Sequence, residues 1–132
     1  MASFAAEERR ILFSETDMAG WVHNSHFMRF VENAEHEFFL SCGYSPITKE
    51  GGWPRVNFTI DFRKPLVFND PYQVTLKIGR LGTTSITWNF EILSLDHLIA
   101  EGKMTSTYVN NQGKPTPYPD DLKEQVKKTF HI

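Results

Sequence analysis

Apolar and polar residues alternate in two rhythms along this chain, and the rhythm changes near Pro46. Before it, Phe27, Phe30, Val31, Ala34 and Phe38 recur at the spacing of one helix face, while Arg29, Glu32, Asn33, His36 and Glu37 fall elsewhere. Asn24 or Ser25 can cap the start of this stripe. Gly43 stands where a left-handed helix-ending residue is expected, so the pattern predicts a long helix over 25–42. After Pro46 the period is two. Val56, Phe58, Ile60 and Phe62 alternate with polar residues, as do Tyr72, Val74, Leu76 and Ile78, then Ile86, Trp88, Phe90 and Ile92. A last run over 98–109 sets Ala100, Gly102 and Met104 on one face. The breaks at Asn69-Asp70-Pro71, Leu81-Gly82-Thr83 and Leu95-Asp96-His97 suit tight antiparallel connections.

The flanks are simpler. A short strand is predicted over 10–14, then a turn-rich stretch to Asn24 that contains Asp17 and Gly20. A short helix over 120–129 is predicted at the other end, with Asp120 as its cap. No Gly/Ser or Pro-rich linker and no repeat divides the chain, so one domain over 1–132 is expected. The fold class is α+β: one long helix packed on one antiparallel sheet.

Composition narrows the function. Of 132 residues, 40% are hydrophobic and 23% charged, which excludes a disordered or low-complexity chain. A net charge of −2 removes the electrostatic footprint of a nucleic-acid binder, so no nucleic-acid partner is expected. No apolar run approaches the roughly 18 residues a membrane span needs. The start, MASFAAEERR, reaches acidic residues before any apolar segment, and a single Cys makes no internal disulfide; both favour the cytoplasm. Eleven Phe and three Trp are many for so small a core, which points to some of them facing a ligand or a second subunit.

The densest polar segment runs from Thr16 to Phe27. It delivers the Asp17 carboxylate just ahead of a helix start at Asn24–His26. A helix start offers unpaired N–H groups and partial positive charge, which stabilise an oxyanion. A carboxylate aimed at the same spot can attack a carbonyl or take a proton from water. Together they make a minimal acyl-transfer site. The plain alternative is an ordinary Asp turn before an ordinary capped helix. His23 and His26 with Asp17 give at most three zinc ligands, and no Cys-x-x-Cys or further nearby His supplies a fourth, so no metal is expected. Cys42, beside Gly43, reads as an inert thiol. Glu32, Glu35 and Glu37 read as solvated helix-face charges.

Asp17-x-x-Gly20-x-Val22, followed by Phe27 and Arg29-Phe30, resembles the active-site segment of the 4-hydroxybenzoyl-CoA thioesterase-like hotdog family. It is similar also to the short-chain acyl-CoA thioesterases associated with the Tol–Pal system. Asp61-Phe62-Arg63-Lys64-Pro65-Leu66 through Asp70, and Gly113-Lys114-Pro115 with Pro119, extend the resemblance over roughly residues 8–125. It implies a hotdog fold, a sheet wrapped around one long helix, with subunits paired edge to edge as a homodimer or homotetramer and sites at the interface. It implies hydrolysis of an acyl-CoA, with coenzyme A as part of the substrate and no cofactor. Asp17 matches the nucleophile or general base, the Asn24 N–H the group that polarises the thioester carbonyl, and Gly20 the small residue of the turn. His23 is implied to line the site as a hydrogen-bond donor. Trp21, Val22, His26 and Phe27 are implied to contact substrate.

Three positions depart from the family pattern. Asn24 stands where some relatives have His, Trp21 where an aliphatic residue is usual, and His26 where Asn is common. A larger Trp21 implies an altered acyl pocket. Trp53, Phe58, Trp88 and Phe90 are candidates for core or interface, and Arg63, Lys64 and Arg80 for contacts to coenzyme A phosphates. Within the fold, a hydratase or dehydratase is the alternative activity, and a non-catalytic acyl-binding dimer the alternative role.

Overall fold

The computed structural model describes residues 2–132. Two short strands come first, β1 (Phe4–Ala5) and β2 (Arg9–Arg10), then helix α1 (Phe27–Ser41). After α1 come β3 (Gly51–Gly52), β4 (Arg55–Phe62), β5 (Pro71–Leu81), β6 (Ser85–Ser94), β7 (His97–Thr107), β8 (Val109–Asn110) and helix α2 (Asp120–Phe130). The main sheet has the order β1–β5–β6–β7–β4, with β2 also on β5 and every pairing antiparallel. β3 and β8 form a separate two-stranded ladder.

The period-two pattern is realised directly in β5 and β6, whereas in β4 a register shift near Val56 leaves only Phe58 and Ile60 against the core and Val56 and Phe62 exposed. Tyr72, Val74 and Leu76 of β5 and Ile86, Trp88, Phe90 and Ile92 of β6 are buried on the face that α1 covers. The predicted helix stripe is likewise buried, with Phe38 at 0% exposure touching Phe4, Trp88 and Phe130 at ring-centroid distances of 5.3–5.4 Å. Each such buried side chain contributes roughly 1.5–3 kcal/mol through area removed from water. α2 closes one end of the core with Leu122, Val126 and Phe130. A helix held by a wrapping antiparallel sheet is the hotdog arrangement.

Four expectations need correction. The strand expected over 10–14 is only Arg9–Arg10; a 3-10 turn at Phe13–Glu15 replaces the rest, closed by Glu15 N–H to the Leu12 carbonyl at 2.9 Å. The helix expected from 25 begins as α-helix at Phe27, after a 3-10 turn at Asn24–His26. Asp120 is the first residue of α2 rather than its cap, which is Pro119. Glu35, expected in solvent, is fully buried. Gly43 does end α1 with φ +73°, and Leu95 and Asp96 carry the paired positive φ of a tight hairpin.

The buried Glu35 is explained by its partners. The register shift between Arg55 and Asn57 places Arg55 on the same sheet face as Phe58, toward α1. Arg55 Nη2 donates to Glu35 Oε1 at 2.8 Å, and Trp88 Nε1–H donates to Oε2. Arg55 also reaches His36 Nε2 at 2.7 Å and Glu32 at 3.2 Å. Burial pushes the Glu35 carboxyl above its usual range, with Arg55 opposing; burial and Arg55 push His36 below its own.

The sheet ends on β4. Its outer edge has no strand partner among the described residues, and Val56 and Phe62 are exposed along it.

Candidate active site

At the N-terminal end of α1 the sequence makes a closed loop before it makes a helix. Asp17 N–H donates to the Trp21 carbonyl at 2.7 Å and Gly20 N–H to the Asp17 carbonyl at 3.0 Å. The Asp17 side chain completes the loop: Oδ1 accepts from Ala19 N–H at 2.8 Å and Trp21 N–H at 3.2 Å. Gly20 is favoured by its φ of +81° alone, because a Cβ there would meet nothing within 4 Å. The Asp17 carboxylate is therefore fixed through one oxygen. Oδ2 has no hydrogen bond among the described residues, and the residue is exposed.

The chain then returns to the fold. Val22 N–H donates to the Leu66 carbonyl at 2.8 Å, and Trp21 bridges to Val67. His23 occupies the cap position of the turn that leads into α1. Its Nδ1 accepts from Ser25 N–H at 3.2 Å and lies 2.8 Å from Ser25 Oγ, so the ring proton sits on Nε2. Capping is thus performed by His23, where Asn24 or Ser25 was expected. His26 N–H donates to the His23 carbonyl at 3.0 Å, and Phe27 N–H to the Asn24 carbonyl. That accounts for every amide of the turn except one. The Asn24 N–H has no partner among the described residues.

Asn24 faces a cleft of about 260 Å³, walled by Trp21, Val22, Phe27 and Phe62 and by the 63–66 loop. Phe27 and Phe62 meet edge-to-face at 5.2 Å. Arg63 and Lys64 give the cleft a basic rim, although Arg63 also pairs with Glu101 at 3.2 Å and Lys64 lies 3.3 Å from His97. Of the residues expected here, Trp21, Val22, Asn24 and Phe27 come together around the cleft. Asp17 and Gly20 sit in the loop tied to Trp21. His23 is occupied as a cap, and His26 receives Arg29 at 3.2 Å through Nδ1. Arg80 does not line the cleft, nor do Trp53, Trp88 and Phe90, which are buried in the core. Cys42 has its thiol pushed up by burial. Among the described residues, no three His, Cys, Asp or Glu side chains converge as metal ligands would.

Two charged groups here were missed from sequence. Glu15, two residues before Asp17, is 3% exposed, with Oε1 accepting from Leu12 N–H at 2.7 Å and Oε2 from Arg29 Nη2. Arg29 lies off the apolar stripe of α1 and belongs to the segment that carries the family resemblance, but nothing in that segment pairs it with Glu15.

Residues 11–126 match the thioesterase-like superfamily. An Aquifex aeolicus protein provisionally named an esterase is 32% identical over 123 residues, spanning 90% of this chain and 94% of that one. A solved structure of a gentisyl-coenzyme A thioesterase superposes with a TM-score of 0.86 at 25% identity, covering 93% of this chain and 99% of that one. The crystal structure of a 1,4-dihydroxy-2-naphthoyl-CoA thioesterase from Synechocystis gives 0.87 at 22% identity, covering 98% of this chain and 99% of that one, a likeness of fold. The chain belongs to the thioesterase-like superfamily. It is a thioester hydrolase with the hotdog fold.

Proposed function

We propose that the chain hydrolyses an acyl- or aroyl-coenzyme A thioester, with Asp17 as nucleophile or general base and the Asn24 N–H as oxyanion donor. One observation carries this reading: the single free amide of the turn, Asn24, opens on the cleft, while the Asp17 carboxylate is held by the amide of Trp21, a wall of that cleft. The thioester carbonyl accepts the Asn24 N–H, and the partial positive charge at the start of the 15-residue α1 supports the oxygen as it gains charge.

Two courses lead to the same products. In one, Asp17 Oδ2 attacks the carbonyl carbon, the C–S bond breaks, coenzyme A leaves as the thiolate, and water hydrolyses the acyl-aspartyl anhydride. In the other, Asp17 takes a proton from a water that attacks the carbon, and the tetrahedral intermediate expels the same thiolate. Removing one oxyanion donor costs about 100- to 1,000-fold in turnover. The likeness to a gentisyl-coenzyme A thioesterase supports an aroyl group among the substrates.

A cleft of about 260 Å³ is small for such a ligand, since ligand pockets run to roughly 300–1,000 Å³. The free edge of β4 supports a second copy as the missing wall. Antiparallel β4 pairing across a two-fold axis continues the sheet, covers Val56 and Phe62, and encloses the cleft between subunits. The test is release of free thiol from acetyl-, medium-chain, long-chain and aroyl-CoA, with the solution mass measured alongside. Thiol from none of them contradicts the reading, and a monomer mass contradicts the shared site.

A further inference from the structure

Two segments must be held in register for this site to work. Asp17 belongs to a loop that is exposed at Asp17, Met18 and Ala19, and the Asn24 amide belongs to the turn that starts α1. The hydrogen bonds inside the Asp17 loop fix its shape, not its position against the helix. Position comes from the residues that join the two segments, and among them one side-chain pair is charged.

Glu15 ends the 3-10 turn that feeds the Asp17 loop. Its carboxyl is buried, with a side-chain exposure of 4%, and both oxygens are used. Oε1 takes the Leu12 N–H, closing the turn. Oε2 takes the guanidinium of Arg29, which stands on the first turn of α1, fourteen residues away. The Glu15 carbonyl meanwhile accepts His23 N–H at 3.1 Å, joining the turn to the residue that caps the helix entry. Arg29 is oriented on its other side by His26 Nδ1 at 3.2 Å and lies over the Phe30 ring at 5.3 Å. A buried carboxylate held by a bond from each segment is a strut between them.

We propose that Glu15 and Arg29 are a positioning pair that sets the Asp17 carboxylate against the Asn24 amide. Neither side chain lines the cleft, and neither is assigned contact with the thioester. The pair acts through Asp17, and so rests on the reading of Asp17 given above. A displacement of about 1 Å in a reacting group costs on the order of 100-fold in rate.

The test is a double-mutant cycle on the coenzyme A thioester that the protein turns over fastest. Arg29→Gln removes the ion pair at a side chain that is 46% exposed, so the guanidinium site is left in reach of water. It should lower kcat by about 10- to 100-fold with KM changed less than about 3-fold, at temperatures well below its melting point. Arg29→Lys, which keeps the charge, should recover part of that loss. In an Asp17→Asn background, Arg29→Gln should cost less than about 2-fold, because the group it positions is gone. The proposal is overturned if Arg29→Gln lowers only the melting temperature, or if it costs as much without Asp17 as with it. Should Arg29→Gln fail to fold, Glu15→Gln takes its place in the same cycle, with the same outcomes. Full activity in Asp17→Asn alone is a separate result: it removes the Asp17 mechanism, and the positioning pair with it.

Discussion

The body of α1 and the turn that leads into it are held by different kinds of force. The C-terminal half of α1 lies in aromatic packing, with Phe38 among Phe4, Trp88 and Phe130, and Phe39 on Trp53 at 5.1 Å. Such contacts are many, individually weak and without strong direction. The N-terminal half shares that packing, with Phe27 on Phe62 at 5.2 Å and Phe30 on Tyr72 at 4.5 Å, but its entry adds a few directed bonds: His23 to Ser25, Glu15 to Arg29, and the Asp17 loop closed on Trp21. The packed body tolerates loss of position by spreading it over neighbours. At the directed end each lost bond moves one particular group. Placing the candidate chemistry at that end gives precise geometry.

Among the directed bonds farther along α1, those of the buried Glu35 give the largest expected effect on stability. Arg55→Ala should cost about 3–5 kcal/mol at neutral pH, because it leaves a buried carboxylate without its cation. The pH dependence checks the cause. The folded-state pKa of Glu35 is raised above the unfolded value, first by burial, so its contribution is fully present below the ordinary glutamate value of 4.5 and is lost as pH rises through the folded pKa. The deficit of Arg55→Ala should therefore shrink as pH falls toward 4.5, read by denaturant unfolding across pH. A deficit independent of pH would show that packing of the Arg55 stem, not the Glu35 charge, is what was lost.

At the directed end the expected stability effects are smaller. Gly20→Ala should cost about 1–2 kcal/mol through its positive φ, with no clash to add to it. The activity loss in this variant should exceed what that destabilisation accounts for, because the loop that carries Asp17 is reshaped. A thermal melt and a thiol-release assay on the same sample separate the two. His23→Ala should cost about 1 kcal/mol, the worth of a cap, and His23→Asn should restore most of it because a short polar side chain caps well. Activity following stability in this pair would mark His23 as a cap alone; activity lost in both would give it the donor role that the family resemblance implies.

The division between packing and directed bonds also explains what could be read from the chain. β5 to β7 and the face of α1 were legible because burial repeats with the period of the backbone. Phe38 and Trp88 are at positions that such a pattern marks by itself. The start of α1 was placed near its true position, but its cap was assigned to Asn24 or Ser25. Whether a His ring faces its own turn depends on tautomer and orientation, which leave no periodic trace. Glu35 was placed in solvent for a similar reason: its cation, Arg55, lies twenty residues on and turns inward through a register shift in β4. Glu15 has its partner fourteen residues on, across a loop.

The site itself was legible as a segment rather than as a geometry. Trp21, Val22, Asn24 and Phe27 do gather at one cleft, and Phe62 and the 63–66 loop join them from a distant part of the chain. Asp17, Gly20, His23 and His26 belong to the segment without lining the cleft. The helix start pointed only to the amides of 24–26, and Asn24 among them came from the family resemblance; it is the amide of that turn left unpaired among the described residues.

The central claim is that Asp17 performs the chemistry. The most direct measurement is free-thiol release by Asp17→Asn, compared with the unaltered protein on the same coenzyme A thioester, with thermal melts of both. Asn keeps the size of the side chain and an oxygen that can accept from Ala19 and Trp21. The expected result is a fall in kcat of about 100- to 10,000-fold with the melting temperature unchanged. Thiol release equal to that of the unaltered protein would contradict the account.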